Sequence, residues 1–253
     1  MNLYTPDITD NYESIQCECG RWEPCRHCKV DVGSENDYAK GKIIAIGDIH
    51  GELYQLQELF NKIPINKGDR IIFLGDYIDR GKHSKQVIDF IIDLKTRHDV
   101  VCLEGNHEMM AYETSIQRGM GNQTMWYSNG GRECLESYGK ELRPLERMFE
   151  QHGNFFKELK TCHEEQDYIF VHGYLDADKD CKDQNRFSCL WNRYNDILPH
   201  KSGKTVVCGH TPQRGGVDNR GYKVCIDTGS YLRDGYITAM VIDGVRTGFV
   251  SSR

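Results

Sequence analysis

The sequence contains no apolar run that approaches the roughly 20 residues needed to cross a bilayer, so we expect no association with membranes. Its first residues, Met1 to Ser14, show neither a basic n-region nor an apolar h-region, so we expect no secretory signal and a cytoplasmic location. Positive charge is also scarce, because 32 Lys and Arg stand against 38 Asp and Glu, for a net charge of −6. General nucleic-acid binders are usually basic, so we expect no general nucleic-acid binding.

The chain has enough material for one ordinary domain with a small attachment. Its 253 residues are 38% hydrophobic and 28% charged, which is sufficient for a core. Residues 1–40 differ from the rest, since they are polar and show no sustained helical or strand period. We therefore predict a short Cys-rich N-terminal extension over residues 1–40 and a folded domain over residues 41–253.

The folded domain reads as an alternation of strands and helices, followed by more strands. Short apolar runs such as Ile43 to Ile46, Ile71 to Leu74 and Val100 to Leu103 predict buried strands. Helical spacing follows the first two runs, and residues 107–165 read as helical and rich in loops. The last third returns to strands, with Asp243-Gly244 as a two-residue hairpin signal. The pattern indicates the α/β class, with a mixed β-sandwich flanked by helices.

Three short motifs come directly after the first three strand-like runs. They are Gly47 to Gly51 (GDIHG), Gly75 to Gly81 (GDYIDRG) and Gly105 to Glu108 (GNHE). Each motif therefore lies where a buried strand ends and a loop or helix begins. In open α/β sheets that edge is where ligands bind. Three such motifs in order are hard to reach by chance.

Polar side chains at these strand ends form a candidate set of metal ligands. The candidates are Asp48, His50, Asp76, Asn106, His172 and His210. In an extended segment residues i and i+2 point to the same side, so Asp48 and His50 can hold one ion together. Asp76, from a neighbouring strand, can share its carboxylate between that ion and a second one. Mixed oxygen and imidazole ligands favour manganese, iron or zinc over calcium.

The motifs resemble the metallo-dependent phosphoprotein phosphatase family of the calcineurin-like phosphoesterase superfamily. They are joined in this by Trp191-Asn192-Arg193, Gly209-His210-Thr211-Pro212 and Ile226-Asp227-Thr228-Gly229. The likeness covers roughly residues 42–250 and is greatest with the small bacterial and bacteriophage serine/threonine phosphatases. It implies a metallophosphatase catalytic domain with the calcineurin-like metallophosphoesterase fold and two divalent ions, with manganese expected first.

The resemblance also distributes the ligands between the two ions. It implies that Asp48, His50 and Asp76 bind the first ion, and that Asp76, Asn106, His172 and His210 bind the second. Two ions about 3.5–4 Å apart can clamp a phosphoryl group and hold a bridging water as hydroxide, which would attack phosphorus directly. None of the 11 cysteines is then needed as a nucleophile.

The leaving group needs a proton, and the phosphate needs positive charge. His107 follows the ligand Asn106, and imidazole titrates near neutral pH, so we assign His107 as the acid and Asp79 as its partner. The family assigns the same pair. Arg80 and Arg193 can bind phosphate oxygens in bidentate fashion, and we place Asn106 with them at the phosphate.

These assignments predict a phosphomonoesterase that acts on phosphoserine and phosphothreonine of proteins or peptides, with phosphotyrosine as a further candidate substrate. The alternative is a dinucleoside polyphosphate or RNA-end pyrophosphohydrolase on the same metal core. We prefer the first because related diadenosine tetraphosphate hydrolases typically carry Asp at the position of Glu108 and depart from the Asp79-Arg80 pair. A non-catalytic scaffold and a nuclease or phosphodiesterase are weaker alternatives. Residues 226–231 lack the regulatory loop motif of the eukaryotic members, so we expect no eukaryotic-type regulatory subunit.

Cysteine is abundant, and without a secretory signal we expect reduced thiols or metal ligands rather than disulfides. Four cysteines fall within twelve residues of the N-terminal extension: Cys17, Cys19, Cys25 and Cys28. The Cys25-x2-Cys28 spacing is that of a zinc knuckle, so a structural zinc is one interpretation. A flexible reduced arm and a redox-sensitive pair are the others. Three cysteines in strand-like runs, Cys102, Cys208 and Cys225, are expected as buried thiols, and Cys134, Cys162, Cys181 and Cys189 as core or surface filler.

Overall fold

The computed structural model describes residues 41–116, 120–139 and 143–253. Two five-stranded sheets pack against each other, and helices cover the outer face of the first sheet. The predicted mixed β-sandwich flanked by helices is confirmed. The candidate zinc ligands Cys17, Cys19, Cys25 and Cys28, and the whole extension over residues 1–40, lie outside the described residues. No helix among the described residues is long and apolar enough to span a bilayer.

The strands of the described residues are numbered in chain order. They are β1 (Ile43–Ile46), β2 (Arg70–Phe73), β3 (Asp99–Cys102), β4 (Cys162–Glu165), β5 (Tyr168–Val171), β6 (Thr205–Cys208), β7 (Asp218–Asn219), β8 (Lys223–Cys225), β9 (Thr238–Asp243) and β10 (Arg246–Ser251). The first sheet has the order β10-β9-β1-β2-β3 and the second the order β4-β5-β6-β8-β7. Within them β1-β2-β3 and β5-β6-β8 are parallel, and the outer strands pair antiparallel.

The helices follow the apolar spacing of the sequence. They are α1 (Leu53–Lys62), α2 (Ser84–Arg97), α3 (Asn106–Ile116), α4 (Met120–Trp126), α5 (Arg132–Ser137), α6 (Pro144–Lys157) and α7 (Arg186–Trp191). In α2 the buried residues Val87, Ile88, Ile91 and Leu94 recur at three- and four-residue intervals, which aligns them on one face. Pro144 begins α6, where its missing N–H costs nothing because that position has no intrahelical acceptor.

Three apolar layers hold these elements together. The sheets enclose a layer that includes Ala45, Ile72, Phe170 and Val207. A second layer, around Phe73 and the helix faces, lies between the first sheet and the helices that precede β4. A third covers the outer face of the second sheet with Ile169, Cys189 and Ile197. The central parallel strands are thus buried on both faces, as their uninterrupted apolar runs predict.

Two strands and one turn differ from the sequence-based prediction. The edge strands β4 and β7 were not predicted, because CHEE and DN carry no apolar alternation and pair only along one side. The final hairpin was predicted correctly, but its two-residue loop is Gly244-Val245, with Gly244 at φ 59°, rather than Asp243-Gly244.

One expectation about the cysteines was wrong. Cys162 of β4 and Cys181, in a 3₁₀ turn (Cys181–Asp183), form a disulfide across a sequence separation of 19 residues. The spacing of the two residues matches no disulfide motif. They come together only because β4 pairs with β5. The other described cysteines are free and buried, as expected for Cys102, Cys208 and Cys225. The disulfide closes a loop that contains β5 and His172.

This disulfide should stabilise the fold by restricting the unfolded chain. A closed loop of this length contributes about 3 kcal/mol. We expect 1,4-dithiothreitol to lower the midpoint of chemical unfolding of the wild type, and the Cys162→Ser/Cys181→Ser variant to show the lowered midpoint without reductant. If reductant shifts the midpoints of wild type and double variant equally, the disulfide does not form in solution.

Candidate active site

The three motifs meet the ends of β5, β6 and β8 at one edge of the sandwich. The N–H of His210, after β6, donates to both carboxylate oxygens of Asp48, after β1, each at 3.1 Å. Backbones approach closely here: a Cβ on Gly47 would lie 2.7 Å from the carbonyl oxygen of Ile226, and one on Gly209 would lie 2.2 Å from Asp48 Oδ1. Glycine is required at both positions for the two sheets to share this edge.

The carboxylate of Asp76 lies between two groups of imidazoles. Its Oδ2 is 3.5 Å from His50 Nε2 and 3.9 Å from His107 Nε2, while its Oδ1 is 3.5 Å from His172 Nε2. Ligand atoms of His50, Asp76 and His107 lie within 4.8 Å of one another, and so do those of Asp76, His172 and His210. One carboxylate therefore serves two adjacent groups, which is the arrangement that a shared ligand of two ions requires.

Hydrogen bonds orient two of the imidazoles toward this space. The Nδ1–H of His50 donates to the carbonyl of Ile78 at 3.0 Å, and that of His172 donates to the carbonyl of Leu74 at 2.9 Å. In both rings Nε2 is left with its lone pair facing Asp76. Such backbone partners fix the tautomer of metal-binding histidines.

Burial keeps these imidazoles neutral. It is the largest cause that lowers the pKa of both His50 and His172 below the usual range. Burial, followed by the neighbouring His172, also lowers the pKa of His210 to about 3, and the charge of Arg193 adds to this effect. Neutral imidazoles are the form that binds a metal, so the donor set fits two divalent ions.

The structure brings Asn106 to the second group. Its Oδ1 lies 3.1 Å from His172 Nε2 and 2.9 Å from His210 Nδ1. The side chain belongs to the first residue of α3, directly after β3, and is 5% exposed. A neutral amide oxygen beside two ring nitrogens can complete a ligand set without adding negative charge.

Asp48 differs from the other candidates because its carboxylate also faces a second acid. It accepts from the His210 N–H and hydrogen-bonds to Asp227, which in turn accepts from the Gly229 N–H at 2.8 Å. Burial raises the pKa of Asp227 to about 7. The hydrogen bond with Asp48 opposes this rise, so the two carboxyl groups can share one proton, a contact that sequence spacing alone does not indicate.

His107 and Asp79 form the predicted pair at the centre of the site. His107 Nδ1 is 2.6 Å from Asp79 Oδ2, and both side chains are at most 1% exposed. The indole N–H of Trp126 donates to the same carboxylate at 2.8 Å, a contact that no sequence motif predicts. Burial raises the pKa of Asp79, and its bonds to His107 and Trp126 oppose the rise. The Nε2 of His107 remains directed at the metal-ligand groups.

Arg80 spans the first group of ligands. Its Nη1 lies 3.2 Å from His50 Nε2 and its Nη2 lies 3.2 Å from His107 Nε2. Tyr231, which sequence reasoning also missed, stacks on the guanidinium at 3.9 Å from the ring centroid. The backbone of Arg80 rests against Gly130, where a Cβ would lie 2.4 Å from its nitrogen. Gly130 therefore packs closely against the backbone of Arg80.

The other predicted phosphate ligand, Arg193, is exposed. It follows α7 and precedes a 3₁₀ turn (Tyr194–Asp196) whose Asp196 N–H donates to the Arg193 carbonyl at 3.2 Å. Its positive charge helps to lower the pKa of His210, and the carbonyl of its neighbour Asn192 packs against Gly173, the residue after His172. The backbone around Arg193 therefore lies near the second group of ligands.

The backbone of this site is strained. Left-handed φ angles occur at His50 (49°), Asp76 (52°), Asp79 (73°), Arg80 (66°) and His210 (64°), and at only two further non-glycine residues of the described chain. Such conformations cost of order 1 kcal/mol or more each and persist where surrounding contacts enforce them. Their concentration here marks the strand ends as a functional site.

Glu108 supplies much of that enforcement. Its carboxylate accepts the N–H groups of Asp76, Tyr77, Ile78 and Gly105 at 2.9 to 3.3 Å, and it is fully buried. Burial and the neighbouring Asp76 and Asp79 raise its pKa, and the N–H bonds oppose that rise. Glu108 therefore points away from the substrate side and fixes the backbone of the second motif.

Comparison with known proteins gives a family and several distant relatives. The family model described as calcineurin-like phosphoesterase matches residues 41–239. A curated relative, the serine/threonine-protein phosphatase PP2A-like PPG1 of Saccharomyces cerevisiae, is 31% identical over 68% of this chain and 42% of its own length. The chain spans less than half the length of the curated relatives it matches.

Solved structures confirm the fold. A serine/threonine phosphatase from Saccharomyces cerevisiae with similarity to human phosphatase PP5 aligns with a TM-score of 0.61 at 18% identity, over 85% of this chain and 81% of its own. A putative diadenosine tetraphosphatase aligns with a TM-score of 0.61 at 16% identity, over 84% and 94% of the two chains. At these identities the alignments carry the architecture and not the substrate.

Replacing Glu108 by Gln should disturb the site without touching a ligand. The amide turns an N–H donor toward backbone N–H groups, so at least one of them loses its acceptor. We expect a loss of about 2–4 kcal/mol in unfolding free energy and weaker divalent-ion binding. Chemical denaturation and titration calorimetry with Mn²⁺ measure the two effects, and Glu158→Gln, at an exposed ion pair with Lys95, serves as control. If Glu108→Gln binds Mn²⁺ with unchanged affinity, the Glu108 carboxylate does not determine the geometry of the metal-binding side chains.

Proposed function

Because this chain belongs to the calcineurin-like phosphoesterase family, we propose that it is a metal-dependent phosphomonoesterase that removes phosphate from serine or threonine side chains of proteins. The observation that carries the proposal is the Asp76 carboxylate, whose Oδ2 faces His50 and whose Oδ1 faces His172, each at 3.5 Å and each with a pKa lowered by burial. Phosphopeptides and phosphoproteins are the substrates, and the cytoplasm is the proposed location.

Two ions, with manganese proposed first, would be held by Asp48, His50 and Asp76 and by Asp76, Asn106, His172 and His210, and would supply Lewis-acid activation of water and of the phosphate. The remaining work falls to the side chains around them. No cysteine lies among the described ligand groups, and burial raises the pKa of the thiols of Cys102 and Cys189 to about 12. Direct attack by water therefore fits this site better than a thiol nucleophile.

His107 is proposed to protonate the leaving oxygen from Nε2. Its Nδ1 is bonded to Asp79, so the ring cannot rotate away, and the pair is shielded by the indole of Trp126. The Asp79 carboxylate stabilises the charged imidazolium that must donate the proton. The pair is the acid that a serine or threonine alkoxide needs.

Two arginines support a terminal phosphate as the substrate group. Arg80 presents two N–H groups toward the first group and stacks on Tyr231, and the positive charge of Arg193 acts on His210 of the second group. A phosphate monoester has three free oxygens, enough for the ions and both guanidinium groups. A diester has fewer, which makes the nuclease reading less suited to this site.

The structure weakens one of the two sequence arguments against dinucleoside polyphosphate substrates. That argument is the Glu at position 108, and the Glu108 side chain is buried and accepts hydrogen bonds from backbone N–H groups. A pyrophosphohydrolase therefore stays the second candidate function. The test of the proposal includes diadenosine tetraphosphate for this reason.

The test measures phosphate release from a phosphoserine peptide by metal-stripped protein, before and after Mn²⁺ is added, for wild type and Asp76→Asn. We expect release that requires Mn²⁺ and falls by more than about 10³-fold in the variant, because the amide cannot bridge two ions. Asp89→Asn, at an exposed carboxylate on α2, is the matched control and should stay active. If the Mn²⁺-loaded wild type releases no phosphate from the phosphoserine peptide but hydrolyses diadenosine tetraphosphate, the proposal is rejected in favour of the second candidate function.

Replacing His107 by Asn should lower turnover of the phosphoserine peptide by about 10²–10⁴-fold, because the leaving alkoxide loses its acid. Turnover of p-nitrophenyl phosphate should fall less, since its leaving group hardly needs a proton. Mn²⁺ content by elemental analysis should stay at the wild-type value.

Loss of Mn²⁺ in His107→Asn would contradict the role as acid and make His107 a ligand, which its proximity to His50 and Asp76 permits. An equal decrease for both substrates, with Mn²⁺ retained, would also contradict proton donation.

A further inference from the structure

Lys223 is a lysine in a place where an apolar residue is expected. It belongs to β8, is 1% exposed, and pairs across the strand with Val206. Its neighbour two positions on, Cys225, faces the apolar layer on the outer side of the second sheet. Burying an ammonium group is costly unless its N–H groups are bonded, so this side chain must have partners.

Its partners include two backbone carbonyls of one turn. Lys223 Nζ donates to the carbonyl oxygen of Asn195 at 3.1 Å and to that of Ile197 at 3.0 Å. Both carbonyls lie at the end of the 3₁₀ turn over Tyr194–Asp196. Carbonyls at the end of a helical turn lack partners within it and favour a positive charge. Lys223 therefore anchors the end of this turn to the sheet.

The beginning of the same turn carries Arg193. The turn closes through the bond from the Asp196 N–H to the Arg193 carbonyl at 3.2 Å. On the other side of Arg193, the Asn192 N–H donates to the Ser188 carbonyl of α7 at 3.0 Å. Arg193 thus lies between α7 and a turn whose other end is hydrogen-bonded to Lys223.

This segment rests directly on the metal-ligand region. A Cβ on Gly173, the residue after His172, would lie 2.9 Å from the Asn192 carbonyl oxygen and 3.2 Å from His210 Cδ2. A movement of the turn would therefore change where Arg193 stands relative to His172 and His210. Ile197, whose carbonyl Lys223 holds, is itself 1% exposed in the apolar layer, which makes the anchor rigid.

We propose that Lys223 is a positioning residue for phosphate binding: its ammonium group fixes the turn after Arg193 and thereby sets the place of the Arg193 guanidinium beside the second ligand group. The inference rests on the proposed function, since it needs Arg193 to bind the substrate phosphate. Lys223 acts through the turn to which its ammonium group is bonded. A methionine would fill the same apolar layer and leave the two carbonyls without a partner.

A double-mutant cycle tests the inference. Lys223→Met is made in the wild type and in Arg193→Ala, and KM, kcat and the inhibition constant of inorganic phosphate are measured for the Mn²⁺-loaded protein. In the wild-type background we expect KM and the inhibition constant to rise by about tenfold, because a displacement of about 1 Å is costly. In the Arg193→Ala background we expect less than about a twofold change, because the residue being positioned is gone.

Lys204→Met is the matched control. Lys204 precedes β6 of the same sheet and forms an ion pair with Glu164 at 2.8 Å instead of anchoring the turn. It should leave KM and the inhibition constant unchanged. If Lys223→Met does not fold, Lys223→Gln, which keeps a donor but loses the charge, is carried through the same cycle.

The outcomes separate this inference from the proposed function. If Lys223→Met raises KM and the inhibition constant equally in both backgrounds, or in neither, the positioning role of Lys223 is overturned. A large rise of both constants in Arg193→Ala alone would still support phosphate binding by Arg193. If Arg193→Ala changes neither KM nor the inhibition constant, the assignment of Arg193 and the inference both fail. Metal-dependent phosphate release by that variant would still support the proposed reaction.

Discussion

The bonds between the Glu108 carboxylate and four backbone N–H groups fix the loop on which the rest of the site depends. They hold Asp76 and the two residues after it, and the carbonyls of that loop in turn receive the first motif: His50 N–H donates to the Asp76 carbonyl at 2.8 Å, and Gly51 N–H to the Tyr77 carbonyl at 2.9 Å. The left-handed conformations of His50 and Asp76 persist inside this network. Since a neutral side chain offers fewer acceptor sites, one buried negative charge is what this backbone geometry requires.

Much of the fold was predictable, and so was the convergence of the candidate ligands, because the signals for both are local. Apolar runs mark buried strands, and motifs placed at the ends of parallel strands must converge on one sheet edge. Asp79 and His107 could be paired because each stands at a fixed offset from a ligand within its own motif. The strands β4 and β7 escaped prediction, since an edge strand buries little and CHEE and DN therefore look like loops.

The contacts that were missed join residues far apart in sequence. Trp126 reaches Asp79 from α4, Tyr231 covers Arg80 from the segment after β8, and Cys162 meets Cys181 only because β4 folds along β5. None of these residues has a spacing that distinguishes it from ordinary aromatic or thiol filler. Their roles follow from tertiary packing, which places a hydrogen-bond donor, a ring face or a thiol beside a partner that local patterns do not reveal.

The position of Glu108 also changes what the sequence can say about the substrate. The Glu108 carboxylate accepts N–H groups of the second and third motifs. A Glu at this position therefore indicates how the loop is stabilised, and it does not indicate which substrate is bound. Under the proposed function, substrate preference would arise where a substrate can reach: at Arg80 beside Tyr231, at exposed Arg193, and at the chain around them. Those residues stand on loops anchored by distant side chains, Gly130 behind Arg80 and Lys223 behind the turn after Arg193. In a fold whose metal ligands are so strongly constrained, selectivity can change through such anchors while the reaction centre stays the same.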